Sequence, residues 1–338
     1  MQDSSFVKTS PVSVAERIDQ FIQEQRVANL WERATVKMMR TLQNHIAVFG
    51  QAQDLSYFNA EGIDHFVHYL RSEARLQEVT VRKNYKNLLW FLNWAARKGY
   101  LEQDLKRINK QKFKIVQKPI IFLKREELLK LYNLSIPPTG THVHLLDMDG
   151  NTYEKVVQES AALSRARDLF CFCAFTSLRY SDMAKLCRTD IDSDYIYVTT
   201  QKTHDRLPID LNSYAKAILD KYAQKSFKKD RALPPMSNQQ LNLCLKQLGE
   251  LCGFNDPVRI VKYCNGERIE EVFPKWKRIS SHCARKTFIC YALSIGIPPV
   301  LVMKWTGHSD YKSMKPYIDI ASEEKLSAMR LFDRSLGI

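Results

Sequence analysis

The chain has 338 residues, 45% of them hydrophobic and 26% charged, which excludes a disordered tail and supplies enough apolar material for two or three ordinary domains. Its 51 Lys and Arg against 37 Asp and Glu leave a formal net charge of +14, which favours a polyanionic partner. Neither a signal-peptide core nor an apolar run of about 18 residues is visible, so export and membrane spanning are not expected and a cytoplasmic protein is.

Residues 1–12 are polar and are expected to be disordered. From Val14 to about Leu105 the pattern is helical. In "SVAERIDQFIQEQ", Ser13 with Glu16 three residues later has the form of a capping box. "WERATVKMMRTLQNHIAVFG" runs to Gly50, a helix stop, and "NAEGIDHFVHYLRSEA" opens on Asn59, a helix start. In "VRKNYKNLLWFLNWAARKGY" the residues Tyr85, Leu88, Leu89, Leu92 and Ala96 recur at helical spacing, predicting a core-facing stripe that Gly99 closes. Four such helices over 13–105 predict a small bundle. Arg82, Lys83 and Lys86 lie off the stripe, where they fit either DNA phosphates or a solvated helix face.

The stretch 106–119, "KRINKQKFKIVQKP", carries six basic residues and no acid, and ends in Pro119. It reads as a solvated linker or as an extended segment laid along a phosphate backbone, with Lys110, Lys112 and Lys114 as candidate contacts. Residues 120–338 form a second, mixed domain. "LKREELLKLYNL" restarts a helix, and "THVHLLDMDGNTYEKVV" predicts two strands around an Asp-Gly turn, with no role assigned to that hairpin. "SRARDLFCFCAFTSLRYSDMAKL" predicts a long helix and then a second. "DYIYVTTQKTHDRLPIDL" reads as a hairpin with Lys202 at its tip, and "RIVKYCNGERIEEVF" as another turning at Asn265-Gly266. From Ser281 onward the chain reads as helix. The expected fold is thus mainly α with small antiparallel β elements, an N-terminal helical bundle followed by a mixed α/β domain, and no parallel nucleotide-binding sheet.

The eight cysteines include no Cys-x-x-Cys pair and are expected to be reduced thiols, mostly buried. The histidines form no metal-ligand grouping, so no metal is expected, and without a P-loop or GxGxxG no cofactor is either.

Five stretches carry the candidate chemistry: "TSLRYSD" with Arg179 and Asp182, "TTQKTHD" with Lys202, "HCARKTF" with His282 and Arg285, "TGH" with His308, and "KPYI" with Tyr317. Singly each has a bland reading. An Arg beside an acid is commonly a structural ion pair, a lone His a satisfied polar group, and a Tyr a half-buried packing residue. Together, in this order, they resemble the tyrosine recombinase (phage integrase) family, most closely the integrases of conjugative transposons and related mobile elements. His282 precedes Arg285 by three residues and His308 precedes Tyr317 by nine, as in the family pattern. Ser177 departs from the family's usual Gly before "LR", and Thr306 from the usual Leu before Gly-His. Neither departure is expected to touch a reacting group.

The resemblance implies a helical core-binding domain of the SAM-like type at 13–105 and a catalytic domain with a C-terminal tail helix at 120–338. It implies a metal-free DNA strand transferase that works through a 3′-phosphotyrosyl intermediate, in integration or excision of a mobile element. Tyr317 would be the nucleophile, Arg179 and Arg285 the clamp on the non-bridging oxygens, and Lys202 the acid toward the leaving 5′ oxygen. His282 would take the proton of Tyr317, His308 would donate to the phosphate, and Asp182 would orient a neighbour. Tyr311, Tyr180 and Tyr291 are read as turn or packing residues. The tail "SEEKLSAMRLFDRSLGI" either folds onto its own core or docks on a neighbouring protomer. The partners implied are double-stranded DNA, a homotetramer on DNA coupled by helix exchange from a monomer when free, and host DNA-bending factors, with a location on the nucleoid. Two other readings share the motifs: a topoisomerase of the type IB kind, which relaxes supercoils, and a non-catalytic DNA-binding accessory protein. The presence of all six reactive residues argues against the second.

Overall fold

A side-chain hydroxyl cap opens the first helix where the spacing predicts it. Ser13 Oγ accepts from the Glu16 amide at 3.2 Å while the Glu16 carboxylate accepts from the Ser13 amide at 2.9 Å, a reciprocal box that starts α1 (Val14–Ala28). The structure, a computed structural model, describes residues 12–52, 54–102, 111–199, 206–308 and 310–321. They divide into two compact units, one drawn from Met1–Lys118 with Val261–Glu271 and the other from Pro119–Ile260 with Val272–Ile338.

In the first unit α2 (Arg33–Phe49) ends on left-handed Gly50, α3 (Ala60–Ser72) is capped by Asn59, and α4 (Glu78–Arg97) closes the bundle. The core is aromatic: Phe21, Phe66, Phe91 and Trp94 are buried, and the Trp94 indole donates to the Glu24 carboxylate at 3.2 Å. The buried stripe of α4 is rotated slightly from the predicted one. Val81, Tyr85, Leu88, Phe91, Leu92 and Ala95 are buried, whereas Leu89 and Ala96 are half-buried at its margin. Phe91 and Trp94 are larger than Leu89 and Ala96, and burying them removes more apolar surface from water. Arg82, Lys83 and Lys86 lie exposed on the opposite face. Residues 111–119 have no regular secondary structure, but Phe113 packs on Tyr85 with ring centroids 5.4 Å apart and the Lys112 carbonyl accepts from Arg71 at 2.9 Å. Lys112 and Lys114 are exposed; Lys110 lies outside the described residues, as do 1–11.

The second unit is built around one buried helix. α5 (Arg125–Tyr132) and the hairpin β1 (His142–Leu146) and β2 (Thr152–Val156) precede α6 (Ser160–Thr176). From Leu169 to Phe175 α6 is apolar on all sides, and from Asp168 to Thr176 every residue is buried, as such a pattern requires. Its one buried acid, Asp168, is fully partnered. It accepts from Arg167 at 2.9 and 3.0 Å, from Tyr222 at 2.8 Å and from Lys221 at 2.5 Å. After α7 (Tyr180–Met183), β3 (Tyr195–Thr199) pairs with β4 (Arg206–Asp210), and α8 (Ser213–Tyr222) and α9 (Asn238–Leu251) pack on α6. β5 (Pro257–Cys264) and β6 (Glu267–Pro274), of which Val261–Glu271 groups with the first unit, turn at Asn265 and Gly266, both with positive φ, the geometry an Asn-Gly hairpin favours. A single turn, α10 (Lys275–Arg278), leads into α11 (Ser281–Ser294), α12 (Pro299–Thr306) and α13 (Lys315–Ala321). The described sheets are three antiparallel two-stranded pairs, so the mainly helical fold with small antiparallel elements is as expected. No helix among the described residues is long and apolar enough to cross a membrane.

Candidate active site

Three chain breaks from helical geometry put the candidate residues in one neighbourhood of the second unit. The first is the end of α6. Ser177 stands in the left-handed region with φ 63°, a conformation that crowds any Cβ and that a non-glycine residue adopts only when its surroundings hold it there. Here the hold is visible: Ser177 is fully buried and its Oγ donates to the Trp305 carbonyl at 3.0 Å. Two residues on, Arg179 is extended and starts α7, its guanidinium 3.9 Å from the buried carboxylate of Asp182.

The second is the start of α11. The Ser281 amide and hydroxyl donate to Asn242 and Asn238 of α9, each at 2.7 Å, and so anchor the first turn that carries His282 and Arg285. Arg285 is buried beneath it. Its Nη1 donates to the Ser177 carbonyl at 3.0 Å and its Nη2 to the Thr306 carbonyl, so two peptide groups hold the guanidinium flat. Burial and then the like charge of Arg179 bring its pKa down to about 10, with Tyr317 and Asp182 acting in the opposite sense. His282 keeps an open face to solvent. The atoms packed on its other side lower its pKa first, and the cations Lys286, Arg285 and Arg179 lower it further.

The third is the stop at Gly307, which ends α12 with φ 60°. His308 follows, its amide donating to the Met303 carbonyl at 3.1 Å and its Nδ1 lying 2.6 Å from the Thr306 hydroxyl. A short turn ending at buried Met314 then leads to α13, which packs on α11, and Tyr317, Ile318 and Met314 share one apolar cluster with Ile289 and Ala292 of α11 and Val302 of α12. Tyr317 is half-buried there. Desolvation raises its pKa, Cys290 and Cys283 add to that, and Arg285 works against them.

Arg179, Asp182, His282, Arg285 and Tyr317 therefore share one field, and His308 is joined to it through Thr306, whose carbonyl also holds Arg285. Lys202 lies outside the described residues, as does the tail from 322. Of the other tyrosines, Tyr311 is exposed on a single 3₁₀ turn, and the Tyr180 hydroxyl donates to the Met236 carbonyl at 2.5 Å. Tyr291 is partly exposed on the far edge of α11, where it lines an apolar groove. Among the described residues no group of three His, Cys, Asp or Glu side chains is arranged to hold a metal.

One expectation is overturned. Ser177 and Thr306 are not bystanders: both lend their carbonyls to Arg285, and Thr306 also contacts the His308 ring. Motif reading misses them because a backbone carbonyl leaves no trace in residue type; only the polar Thr one residue before Gly-His offered a signal. The link from the Trp305 indole to Asp210 at 2.7 Å, which ties α12 to the hairpin strand β4, was likewise invisible.

Arg179, with Asp182 3.9 Å away, acts on both His282 and Arg285, and the Tyr317 phenol lies in the field of Arg285. These groups are carried by a mainly helical scaffold that divides into two units. The phage integrase family pattern matches residues 147–324, and that of the phage integrase SAM-like domain matches 13–115. The chain belongs to the phage integrase family, the tyrosine recombinases. It is accordingly a DNA strand transferase, a site-specific recombinase by class. The tyrosine recombinase XerD of Chlamydia trachomatis serovar D is 26% identical over 238 residues, 68% of this chain and 69% of that one. Among solved structures, a lambda integrase fragment, residues 75–356, as a dimer bound to a COC′ core site superposes with TM-score 0.58 at 14% identity, covering 88% of this chain and 96% of that one. The Tn1549 transposon integrase in complex with circular intermediate DNA gives 0.57 at 13% identity over 93% and 99%. The XerH recombinase bound to a palindromic difH substrate gives 0.59 at 14% over 94% and 85%. These likenesses establish a common fold.

Proposed function

We propose that this chain cuts and rejoins DNA at a specific site through a 3′-phosphotyrosyl bond formed by Tyr317, in the integration or excision of a mobile element. The observation that carries the reading is the shared field of Arg179, Arg285 and the Tyr317 phenol. A phenol whose pKa is raised by burial is a poor nucleophile on its own and needs a base. His282, whose pKa is lowered first by burial and then by its cationic neighbours, is suited to take that proton. The Tyr317 oxygen then attacks phosphorus, charge builds on the two non-bridging oxygens, and the two guanidiniums bind it. The bond to the 5′ oxygen breaks, and Lys202 gives that oxygen its proton. The products are a 3′-phosphotyrosine and a 5′-hydroxyl, so the bond energy is stored for resealing by the reverse path. His308 donates to the phosphate, and Asp182 steadies Arg179. Incubation with a nicked suicide duplex, whose 5′ fragment diffuses away, should leave DNA attached to the peptide that contains Tyr317. Relaxation of supercoils without joining of separate duplexes would turn the reading toward a topoisomerase.

The base role has a pH signature. A histidine with a lowered pKa is neutral, and able to accept a proton, above that lowered value. The cleavage rate should therefore rise with pH through a midpoint below 6.5, the ordinary histidine value, and then level off. Single-turnover cleavage across pH 5–8 checks this; a rise with pH that persists unchanged in His282→Ala would contradict the base role.

Residues 13–105 act as the core-binding domain, with Arg82, Lys83 and Lys86 and the linker lysines Lys110, Lys112 and Lys114 meeting phosphates, and the protein works in the cytoplasm on the nucleoid with host DNA-bending factors. On DNA it assembles as a tetramer from free monomers. An apolar groove of about 480 Å³, lined by Leu128, Phe175, Tyr214, Phe288 and Tyr291, suits the apolar side of a neighbouring protomer's tail, with Leu326, Met329 and either Leu331 or Phe332 as its anchors. Mass photometry with two target duplexes should find four protomers, and Phe288→Asp should stop assembly at fewer.

A further inference from the structure

Thr306 is fully buried, and its hydroxyl has three neighbours: the Val302 carbonyl at 2.7 Å, the Met303 carbonyl at 3.3 Å and His308 Nδ1 at 2.6 Å. A hydroxyl has one hydrogen to give and two lone pairs to accept with, and a carbonyl can only accept. The hydrogen therefore goes to a carbonyl, and Val302, four residues back along α12, is where a helical threonine ordinarily bonds. With that hydrogen committed, the contact to the imidazole has one arrangement left: Nδ1–H donates and the Thr306 oxygen accepts. The reverse arrangement would surrender the 2.7 Å bond of a fully buried hydroxyl to Val302.

We propose that Thr306 is a positioning residue whose hydroxyl holds His308 in its Nδ1–H form. Nε2 is then the nitrogen that meets the scissile phosphate, and it donates there only when the ring carries both protons. The inference rests on the reading of His308 as a phosphate partner and deepens it. It makes the bound anion and the imidazolium interdependent: the phosphate's charge favours the doubly protonated ring, and only that ring can donate to the phosphate. The same residue binds Arg285 through its backbone carbonyl, which a side-chain substitution leaves in place, so the hydroxyl's effect on His308 can be isolated.

The test uses the full chain with ¹⁵N-labelled histidine, the His308 signals being identified by their loss in His308→Ala. At a pH where the ring is neutral, long-range ¹H–¹⁵N spectra should show His308 Nδ1 protonated and Nε2 bare. Thr306→Val, which matches the shape without the hydroxyl, should shift the ring toward the Nε2–H form, and Thr306→Ser should restore the native pattern. Single-turnover cleavage of a suicide duplex should fall about tenfold in Thr306→Val, the cost of one misdirected hydrogen bond, with DNA affinity unchanged and with Thr306→Ser recovering to within roughly threefold. A native His308 found in the Nε2–H form would overturn the proposal, as would Thr306→Ser cleaving as slowly as the valine variant. Undiminished cleavage by His308→Ala would instead overturn the reading of His308 at the phosphate and, with it, the functional half of the proposal, so the two failures are distinguishable.

Discussion

Tyr317→Phe should bind target DNA as the native chain does and yield no covalent, SDS-resistant adduct with a suicide duplex. The expected loss is complete within detection, at least about ten-thousandfold, because the variant lacks the oxygen proposed to form the ester. The rest of the side chain is structural and survives the change: the ring packs in a small cluster with Ile289, Val302 and Met314, and phenylalanine fills that space equally well. Loss of the adduct can therefore be separated from unfolding by showing an unchanged melting temperature and an unchanged gel shift. Tyr311 is the competitor nearest in sequence. It is exposed on a turn capped by the Asp310 side chain, which makes it the alternative to exclude. An adduct that persists in Tyr317→Phe and disappears in Tyr311→Phe would transfer the nucleophile to that turn and dismantle the arrangement built around Arg285.

The helix limits were legible because caps are local chemistry. Ser13 with Glu16, Asn59 and Gly50 each act within one turn, and each stands where the spacing indicates. The rotation of α4 was less legible: Leu89 and Phe91 both satisfy a helical period within a residue, and neighbouring helices decided which of them to bury. The candidate site shows the same division. His282 and Arg285 share a face of α11 by spacing alone, and Arg179 with Asp182 is a contact within one turn. That Arg179, Arg285 and Tyr317 meet depends on α11 packing against both α6 and α13, a tertiary fact that only the family resemblance anticipated. What no residue pattern carried was the support beneath them: the left-handed Ser177 and the carbonyls of residues 177 and 306. Reading Ser177 and Thr306 as neutral departures failed for that reason, since their most consequential atoms belong to the main chain.

That support is also why Arg285→Lys should slow cleavage by roughly a hundredfold or more, about 2.7 kcal/mol of transition-state stabilisation, with DNA affinity nearly unchanged. A guanidinium has five N–H donors in a rigid plane. Two of them are taken by the Ser177 and Thr306 carbonyls, which fixes the plane and leaves three for the phosphate. An ammonium has three donors, so satisfying both carbonyls would leave one, with no flat edge to match two oxygens. Charge points the same way. Burial and Arg179 already bring the arginine down to about 10, where it stays cationic at neutral pH. A lysine, with a lower pKa to begin with, would be pushed by the same surroundings toward its neutral form and lose the attraction altogether. Binding is spared because most of the affinity for DNA comes from many phosphate contacts elsewhere on the protein, of which this is one. Measuring single-turnover cleavage and gel-shift affinity on the same preparation separates the two quantities. If cleavage fell only as far as affinity did, Arg285 would be a docking contact, and stabilisation of the transition state would have to come from Arg179 alone.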